Sequence, residues 1–461
     1  MSIEFTSIDN NVLSLMLSKV DADDSMWKYE LLDQDGVNFG YIVVVNGKDI
    51  KLESKSDAIR DDDDEIQVKL GELLHSIIDA ENSGLDSFSE SQQNADNPYN
   101  PDDIKVRNDK MPITLISTMI EAGDIDMNPD FQRHLVWDSK QKSRLIESIL
   151  LRIPLPMFYF SEDKEGKLII VDGLQRISTI YDFMHNRFPL QNLQYLQDSC
   201  GGRYYSSDGA KKGIDSKYFR WFNMTTISAN IIDPSSPSKV KYDIFRRINT
   251  GGRTLNNQEI RNCLTGKTLR EALKSMTESK LFRTATDGSI KSKRMDDQEI
   301  ALRFLMFYKI YEDSARSNID AYSGYMEQSL DNYTESFSKV PEGSLDNYIN
   351  KFNVALENSQ YLIGPKYAFR KILLDDLRQG AYKQLINKAL FVCTMLLLAD
   401  YDCGKIAILN EQGSLTKPLA EKIQKDKDFY SYLSYGTNGW KNLTYVFNEL
   451  KTLFESVIRY E

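Results

Sequence analysis

The most informative stretch of this chain reads KLIIVDGLQR and covers residues 167–176. Its aliphatic run is typical of a buried strand, and that strand ends in a carboxylate and a glycine, Asp172 and Gly173. A helical pattern starts at once. Gly173 lets a ligand approach the backbone closely, because it has no side chain. The free N–H groups of the helix's first turn favour an anion. The stretch therefore predicts a strand–turn–helix unit that can bind phosphate.

Two interpretations of the polar residues in this stretch stay open. In the first, Arg176 lies one helical turn after the glycine and makes a bidentate contact to phosphate. Asp172 then holds a Mg²⁺ ion or a ribose hydroxyl, because a hard carboxylate suits both tasks. In the second, Asp172 only caps the helix and Arg176 only pairs with it.

A second cluster, residues 129–137, reads PDFQRHLVW and is expected in a loop between helices. Arg133 follows Gln132 there. No helix or strand is expected at this position, so Arg133 is not accounted for as a residue on the polar face of such an element. Bulky apolar residues on both sides would anchor the loop. The cluster is thus either a ligand-binding loop or one that carries an ordinary surface arginine.

A third cluster, residues 245–253, reads FRRINTGGR. A helix ends there in Asn249, Thr250, Gly251 and Gly252, which is a plausible C-cap. A new helix is expected to begin at Asn256 or Asn257, since both are good N-cap residues. The plain interpretation is a helix–turn–helix corner. The sharper hypothesis is that Asn249, Thr250 and the glycine amides line the same pocket as Asp172.

Hydrophobic periodicity predicts four segments along the chain. A strand and an Asn46-Gly47 hairpin precede a helix that follows the acidic run 61–65. A polar stretch rich in Ser, Gln, Asn and Asp then reads as a linker. Mixed strands and helices follow, and the helical period dominates after residue 257. We therefore expect an α+β fold with these parts: a small acidic N-terminal domain (1–81), a linker (82–103), a mixed core domain (104–265) and an all-helical C-terminal domain (266–461).

Charge is distributed unevenly along the 461 residues. The formal net charge is -11, yet residues 1–100 hold 22 acidic and 7 basic side chains. The remaining chain is slightly basic, with a net charge of +4. The global acidity therefore does not argue against a polyanionic ligand for the body of the protein. The acidic region itself is either an ordinary solvated surface or a surface that mimics nucleic acid or occupies a basic cleft in the body of the protein.

The histidines and cysteines exclude several classes of site. The last of three histidines is His185. An HNH nuclease, HD phosphohydrolase or HExxH metalloprotease centre after that residue is excluded. The four cysteines show no CxxC spacing, so a reducing cytoplasm is the expected location. No apolar run approaches the length of a membrane span, so we expect no membrane association.

Basic and aromatic residues alternate around residues 203–205 and 218–222 of the core. Such a pattern is found on surfaces that contact phosphates and stack bases. Solvated helix faces explain it equally well.

The three clusters, in this order, resemble the DGQQR-type family, also known as domain of unknown function 262, which has a ParB/sulfiredoxin-like fold. The matching boxes are residues 131–137, residues 144–149 followed by 153–156, residues 172–176, and residues 245–252 with Leu255 and Glu259. The resemblance covers roughly residues 104–265. Members of this family are similar to the nucleotide-binding halves of modification-dependent restriction systems and of phage-defence proteins that sense phosphorothioate.

The resemblance implies a component of a prokaryotic restriction or anti-phage system. Such a component binds a nucleoside triphosphate with Mg²⁺, often hydrolyses it, and gates DNA binding or a separate nuclease subunit. Self-association is also compatible with the resemblance. The residues implied for the site are Asp172, Gln175 and Arg176 as catalytic groups, Asp172 as the metal ligand, and Gln132, Arg133, Gly173, Arg247, Asn249, Thr250 and Gly251 as phosphate-binding groups.

One departure from the family pattern leaves other functions open. The third position of the central box is usually glutamine, and here it is Leu174. Any hydrogen bond of that glutamine is lost, which allows a non-catalytic module that senses nucleotide. A third alternative is a DNA nickase or endonuclease that uses the Asp172 and Arg176 pocket on a DNA phosphate.

Overall fold

The computed structural model describes residues 2–22, 26–33, 37–86, 104–127, 137–248, 256–292, 294–434 and 436–460. The chain divides into two compact units, which are described separately. The first comprises Met1–Asp96 together with Gly266–Glu461, and the second comprises Asn97–Thr265. The predicted α+β character with a helical C-terminal region is confirmed. In the described residues, no helix has both the length and the apolar character that a bilayer span requires.

The first unit begins with an antiparallel sheet in simple sequential order. Its strands are β1 (Ser2–Thr6), β2 (Val12–Ala22), β3 (Met26–Leu32), β4 (Asn38–Val45) and β5 (Asp49–Lys55). The predicted hairpin between β4 and β5 is confirmed, because Asn46 and Gly47 both have positive φ, at 51° and 59°. Helix α1 (Asp63–Ser83) then covers one face of the sheet.

Helix α1 starts where the acidic run predicts it. Asp62 accepts a hydrogen bond from the backbone N–H of Glu65, and the Glu65 side chain accepts one from the N–H of Asp62. This reciprocal capping box satisfies two donors at the helix start. After α1, a two-residue strand, β6 (Leu85–Asp86), continues into the region predicted as a linker. Residues 87–103 of that linker lie outside the described residues.

The second unit contains a five-stranded mixed sheet. Its strands are β7 (Val106–Pro112), β8 (Ile125–Asp126), β9 (Phe158–Glu162), β10 (Leu168–Asp172) and β11 (Thr226–Ile232), in the order β7-β11-β9-β10-β8. β9 pairs with β10 antiparallel and with β11 parallel, so it lies at the centre. The described helices of this unit are α2 (Ile113–Ala122), α3 (Ser139–Leu150), α4 (Leu174–Met184), α5 (Gln197–Cys200), α6 (Ser216–Asn223), α7 (Ser238–Ile248) and α8 (Asn257–Leu264).

The core of the second unit lies between its sheet and its helices. Phe158 and Phe160 of β9 are fully buried, and they pack with Ile146 of α3 and with Ile177 and Phe183 of α4. Helix α3 starts after Asp138, whose side chain caps it by accepting a hydrogen bond from the backbone N–H of Gln141 at 2.7 Å. The packing fixes β10 and α4, which flank the turn at Gly173.

The remainder of the first unit is helical. Its described helices are α9 (Lys267–Glu278), α10 (Lys280–Ala285), α11 (Asp296–Asp313), α12 (Met326–Ser338), α13 (Asp346–Leu362), α14 (Lys388–Leu398), α15 (Cys403–Leu409), α16 (Thr416–Lys425), α17 (Lys427–Ser434) and α18 (Trp440–Val457), with a 3-10 turn at Leu374–Leu377. Every residue of α14 is buried, so the other helices surround it. A short strand, β12 (Ile386–Asn387), pairs in parallel with β6.

The N-terminal sheet and the helical region share one core within this unit. Met16 of β2 and Leu85 of β6 are buried in the helical cluster. Asp86 forms a 3.0 Å ion pair with Lys371, and both side chains are less than a tenth exposed. Segments that are separate in the sequence are therefore one packed body.

Candidate functional site

The turn between β10 and α4 requires glycine. Gly173 has φ 102° and occupies the N-cap position of α4. A Cβ atom added there would lie 2.4 Å from Cδ1 of Phe158, which is far inside van der Waals contact. The chain can thus reverse from strand to helix only because this residue has no side chain. The turn brings Asp172 next to the free N–H groups of the helix.

Asp172 and Arg176 form an ion pair at this turn. Nη2 of Arg176 lies 2.7 Å from Oδ2 of Asp172. The same guanidinium donates to the backbone carbonyls of Pro156 and Met157, the latter at 3.2 Å, and stacks 4.1 Å from the ring centre of Phe158. Burial lowers the pKa of Arg176, and the Asp172 carboxylate partly opposes that effect. The arginine is therefore held rigidly by four neighbouring groups.

The pair leaves ligand-binding capacity unused. The Arg176 side chain is 12% exposed and that of Asp172 is 37% exposed. In the part of the chain that the structure describes, neither Nε of Arg176 nor Oδ1 of Asp172 has a hydrogen-bond partner. Asp172 does not cap α4, because the N-cap position belongs to Gly173 and carries no side-chain cap. The purely structural interpretation of these two residues is therefore only partly met: Arg176 does pair with Asp172, but Asp172 does not cap the helix.

Leu174 faces the core. Its side chain packs, partly buried, against the cluster that contains Phe158 and Ile177. A glutamine at this position would have to bring its amide toward an apolar environment, which is costly without partners. The neighbouring Gln175 is partly buried, and its backbone carbonyl accepts a 2.7 Å hydrogen bond from Thr179. The leucine therefore adds apolar packing beneath the turn.

Helices α7 and α8 form a corner against the end of β10. Val171, the residue before Asp172, packs with Tyr242 and Phe245 of α7 and with Ile260 and Cys263 of α8. The predicted start of α8 is confirmed, because Asn256 and Glu259 form a capping box. The structure thereby places Phe245, the first residue of the third sequence cluster, against the strand that ends at Asp172, while residues 249–253 of that cluster lie outside the described residues.

The predicted phosphate-binding residues divide into two groups. Arg247 lies in the last turn of α7 and is exposed. Its neighbour Arg246 instead donates to the side chain of Asn257 at 3.1 Å. Gly173 forms the turn before α4. The remaining five, Gln132, Arg133, Asn249, Thr250 and Gly251, lie outside the described residues.

A polar face of α8 was not predicted from the sequence as part of the site. Gln258, Arg261 and Asn262 are each at most 1% exposed. Nη1 of Arg261 donates to Gln258 at 3.4 Å. Nε2 of Gln258 and both amide atoms of Asn262 have no hydrogen-bond partner among the described residues. The i, i+3, i+4 spacing of these side chains is the sequence signal that places them on one face. Buried amides without partners are rare, and a bound ligand is one way to satisfy them.

Glu147, which lies in the matching box of residues 144–149, has a structural role. Its carboxylate is buried and accepts three backbone N–H groups, from Gln194, Tyr195 and Leu196, at 2.7–2.9 Å. Burial alone would raise the pKa of Glu147, but these donors outweigh it and hold the pKa below its usual value. This residue therefore fastens the loop after α4 to α3.

A comparison with protein families identifies one domain in the chain. Residues 116–265, about a third of the sequence, match the family model described as GmrSD restriction endonuclease, N-terminal domain. No curated protein and no solved structure matches the chain significantly. The matched segment includes α3, the β10–α4 turn and the α7–α8 corner. This part of the chain is therefore similar to the N-terminal domain of GmrSD restriction endonucleases, and the similarity supports a role in restriction or phage defence.

Proposed function

We propose that the second unit binds a nucleoside triphosphate at the end of β10 and serves as the nucleotide-dependent component of a restriction or anti-phage system. The observation that carries this proposal is the Asp172–Arg176 pair at a helix N-terminus, in which Nε of Arg176 and Oδ1 of Asp172 have no hydrogen-bond partner among the described residues. Arginine donors and helix N–H groups together suit the phosphates of a nucleotide. The mixed sheet and the family match support the ParB/sulfiredoxin-like assignment, which we include in the proposal.

The residues present fit a magnesium nucleotide. No group of three or more candidate metal ligands occurs in the described residues. Mg²⁺ commonly binds through one or two carboxylates and completes its shell with water and phosphate oxygens. Asp172 is partly exposed, and its Oδ1 has no partner in the described part of the chain, so it meets that requirement. A bound Mg²⁺ ion would neutralise phosphate charge.

The protein groups have defined roles in this proposal. Nε of Arg176 donates to a phosphate oxygen, and the Asp172 carboxylate keeps the guanidinium in place. Gln175 lies beside them in the first turn of α4 and would orient a water molecule. The resemblance assigns the other phosphate contacts to Gln132, Arg133, Arg247, Asn249, Thr250 and Gly251. In-line phosphoryl transfer needs mostly positioning and charge neutralisation, which such a site supplies without histidine.

Nucleotide binding is the direct test. Fluorescent ATP and GTP analogues would be titrated into the full chain with Mg²⁺. We expect Arg176→Ala to weaken binding by at least tenfold. Arg187→Ala is the matched control, because Arg187 is an exposed arginine of the same unit that pairs with Asp182. If Arg176→Ala binds as tightly as the wild type, the site assignment fails.

A second candidate function is a nucleotide sensor without turnover, favoured by the packing of Leu174 against the core. It predicts binding of the nucleotide analogue with no release of inorganic phosphate. Phosphate release by the wild type that Asp172→Ala abolishes would reject it. Metal-dependent relaxation of supercoiled plasmid that Asp172→Ala abolishes would instead favour a nickase. We also propose that the chain acts together with DNA and a separate nuclease subunit, and that it self-associates.

A further inference from the structure

Helix α6 is anchored on one side and exposed on the other. Phe222 is fully buried, and its ring lies 5.5 Å from the rings of Phe183 and Tyr205. On the other side, Lys217 and Arg220 are exposed, and Met224 at the helix end is 80% exposed. The helix therefore presents a fixed face to solvent.

Trp221 lies at the centre of that face. Nζ of Lys217 is 4.5 Å from its ring centre, and the guanidinium carbon of Arg152 is 6.0 Å away. The ring of Tyr218 meets it edge-on at 5.8 Å. Arg152 comes from the end of α3 and adopts positive φ, 61°. Two separate elements thus contribute cations to one aromatic ring.

The cations of this face lack neutralising partners among the residues that the structure describes. In the part of the chain that the structure describes, Arg152, Lys217 and Arg220 have no carboxylate partner. The nearby Asp215 is already paired with Arg203 at 2.8 Å. We call this patch the Trp221 surface, and it consists of Arg152, Lys217, Tyr218, Arg220, Trp221 and Met224.

We propose that the Trp221 surface binds a single-stranded segment of DNA. This proposal rests on the proposed function, which includes DNA as a partner. It adds which surface binds the DNA and that the bound DNA is single-stranded. Aromatic rings stack on bases of any sequence, and lysine and arginine beside them contact the phosphates. The spacing of residues 217, 220, 221 and 224 places both kinds of group on one helical face. A base would stack at Trp221 while the flanking phosphates contact the three cations.

The test uses the full chain and a fluorescently labelled oligothymidylate of 12 nucleotides. Binding would be followed by anisotropy at several salt concentrations. We expect the double variant Lys217→Glu/Arg220→Glu to lose at least tenfold in affinity, with a shallower dependence on salt. Each phosphate contact to a single strand contributes about 0.7 to the logarithmic salt slope. We expect Trp221→Ala to lose about 5- to 100-fold with an unchanged slope, and Trp221→Phe to retain binding.

A matched control separates this surface from general charge effects. Lys110→Glu/Lys164→Glu makes the same charge change at two exposed lysines of the same unit. An equal loss in this control, or unchanged binding by Trp221→Ala, would overturn the proposal. So would equally tight binding of duplex DNA or equally effective competition by polyglutamate. Nucleotide binding should be unchanged in the Lys217→Glu/Arg220→Glu variant, so failure of the nucleotide site and failure of this surface are distinguishable.

Discussion

Gly173 is the residue on which the candidate site depends most directly. Its positive φ and the 2.4 Å approach of Phe158 to a hypothetical Cβ both disfavour any side chain. We expect Gly173→Ala to lower the free energy of unfolding by about 2–5 kcal/mol, from strain and overpacking together. Gly166→Ala is the control, because Gly166 also has positive φ, 83°, but open space around it. That variant should lose only about 1–2 kcal/mol in chemical denaturation. Equal losses would contradict the steric argument.

Glu147 should have a measurable structural role. Glu147→Gln keeps the shape but removes the charge that three backbone N–H groups bind, and we expect a loss of roughly 1–3 kcal/mol. Because its pKa is lowered in the folded state, the stabilisation is present above the pKa of the unfolded chain. It is lost as pH falls below the ordinary glutamate pKa, about 4.3, and through the lower folded pKa. Urea denaturation from pH 3 to 7 measures this. Glu165→Gln, an exposed substitution in the same unit, should show no such pH-dependent difference.

At the candidate site, the local sequence indicates that Asp172 and Arg176 lie close together, but it does not indicate which other groups contact them. The strand–glycine–helix pattern correctly places Asp172 and Arg176 together. The carbonyls of Pro156 and Met157 that hold the guanidinium have no sequence signal, because every residue carries a carbonyl. The buried amide of Asn262 was missed for a related reason: a polar residue in an amphipathic helix normally indicates solvent.

Among the elements, those with strong local signals match the structure closely. The β4–β5 hairpin and the starts of α1 and α8 follow from turn and capping chemistry, as predicted. The edge strand β7 carries mostly exposed residues, so its sequence lacks apolar alternation. Seven residue pairs with β11 hold it in place instead. Tertiary pairing, which local sequence does not reveal, therefore completes the sheet.

The first turn of α11 provides a pH-dependent element. Burial, with the nearby Glu299 and Asp297 carboxylates, raises the pKa of Asp296 to about 6, although Lys388 and Arg294 oppose the shift. A raised pKa means that this aspartate stabilises the fold most at low pH. That contribution is lost as pH rises from about 4 through 6. We expect Asp296→Asn to be more stable than the wild type at pH 8, by about 1–3 kcal/mol.

The same comparison at pH 4 should show little difference between Asp296→Asn and the wild type. Thermal unfolding at both pH values measures the effect. Asp320→Asn, at an exposed aspartate of the same unit, is the control. A variant that is less stable than the wild type at pH 8 would mean that the charged Asp296 stabilises α11.

At the scale of the whole molecule, the buried ion pair of Asp86 and Lys371 offers a test of whether the N-terminal and helical segments unfold together. Asp86→Ala would leave Lys371, a nearly buried lysine, without this partner. Breaking a buried pair typically costs about 3–5 kcal/mol. We therefore expect a single unfolding transition at lower temperature in calorimetry. The double variant Asp86→Leu/Lys371→Met should recover most of the loss, because it removes both charges of this pair. Two separate transitions would indicate that the segments unfold independently.

The pairing of β6 with β12 also has a consequence for biosynthesis. About 300 residues separate Leu85 from its strand partner Ile386. At roughly 5–20 residues per second, the ribosome needs about 15–60 s to cover that distance. During this interval Met16, Leu85 and Asp86 have emerged without the helices that later bury them. The nascent N-terminal sheet thus has a period in which a chaperone or a second nascent chain can occupy the same apolar face.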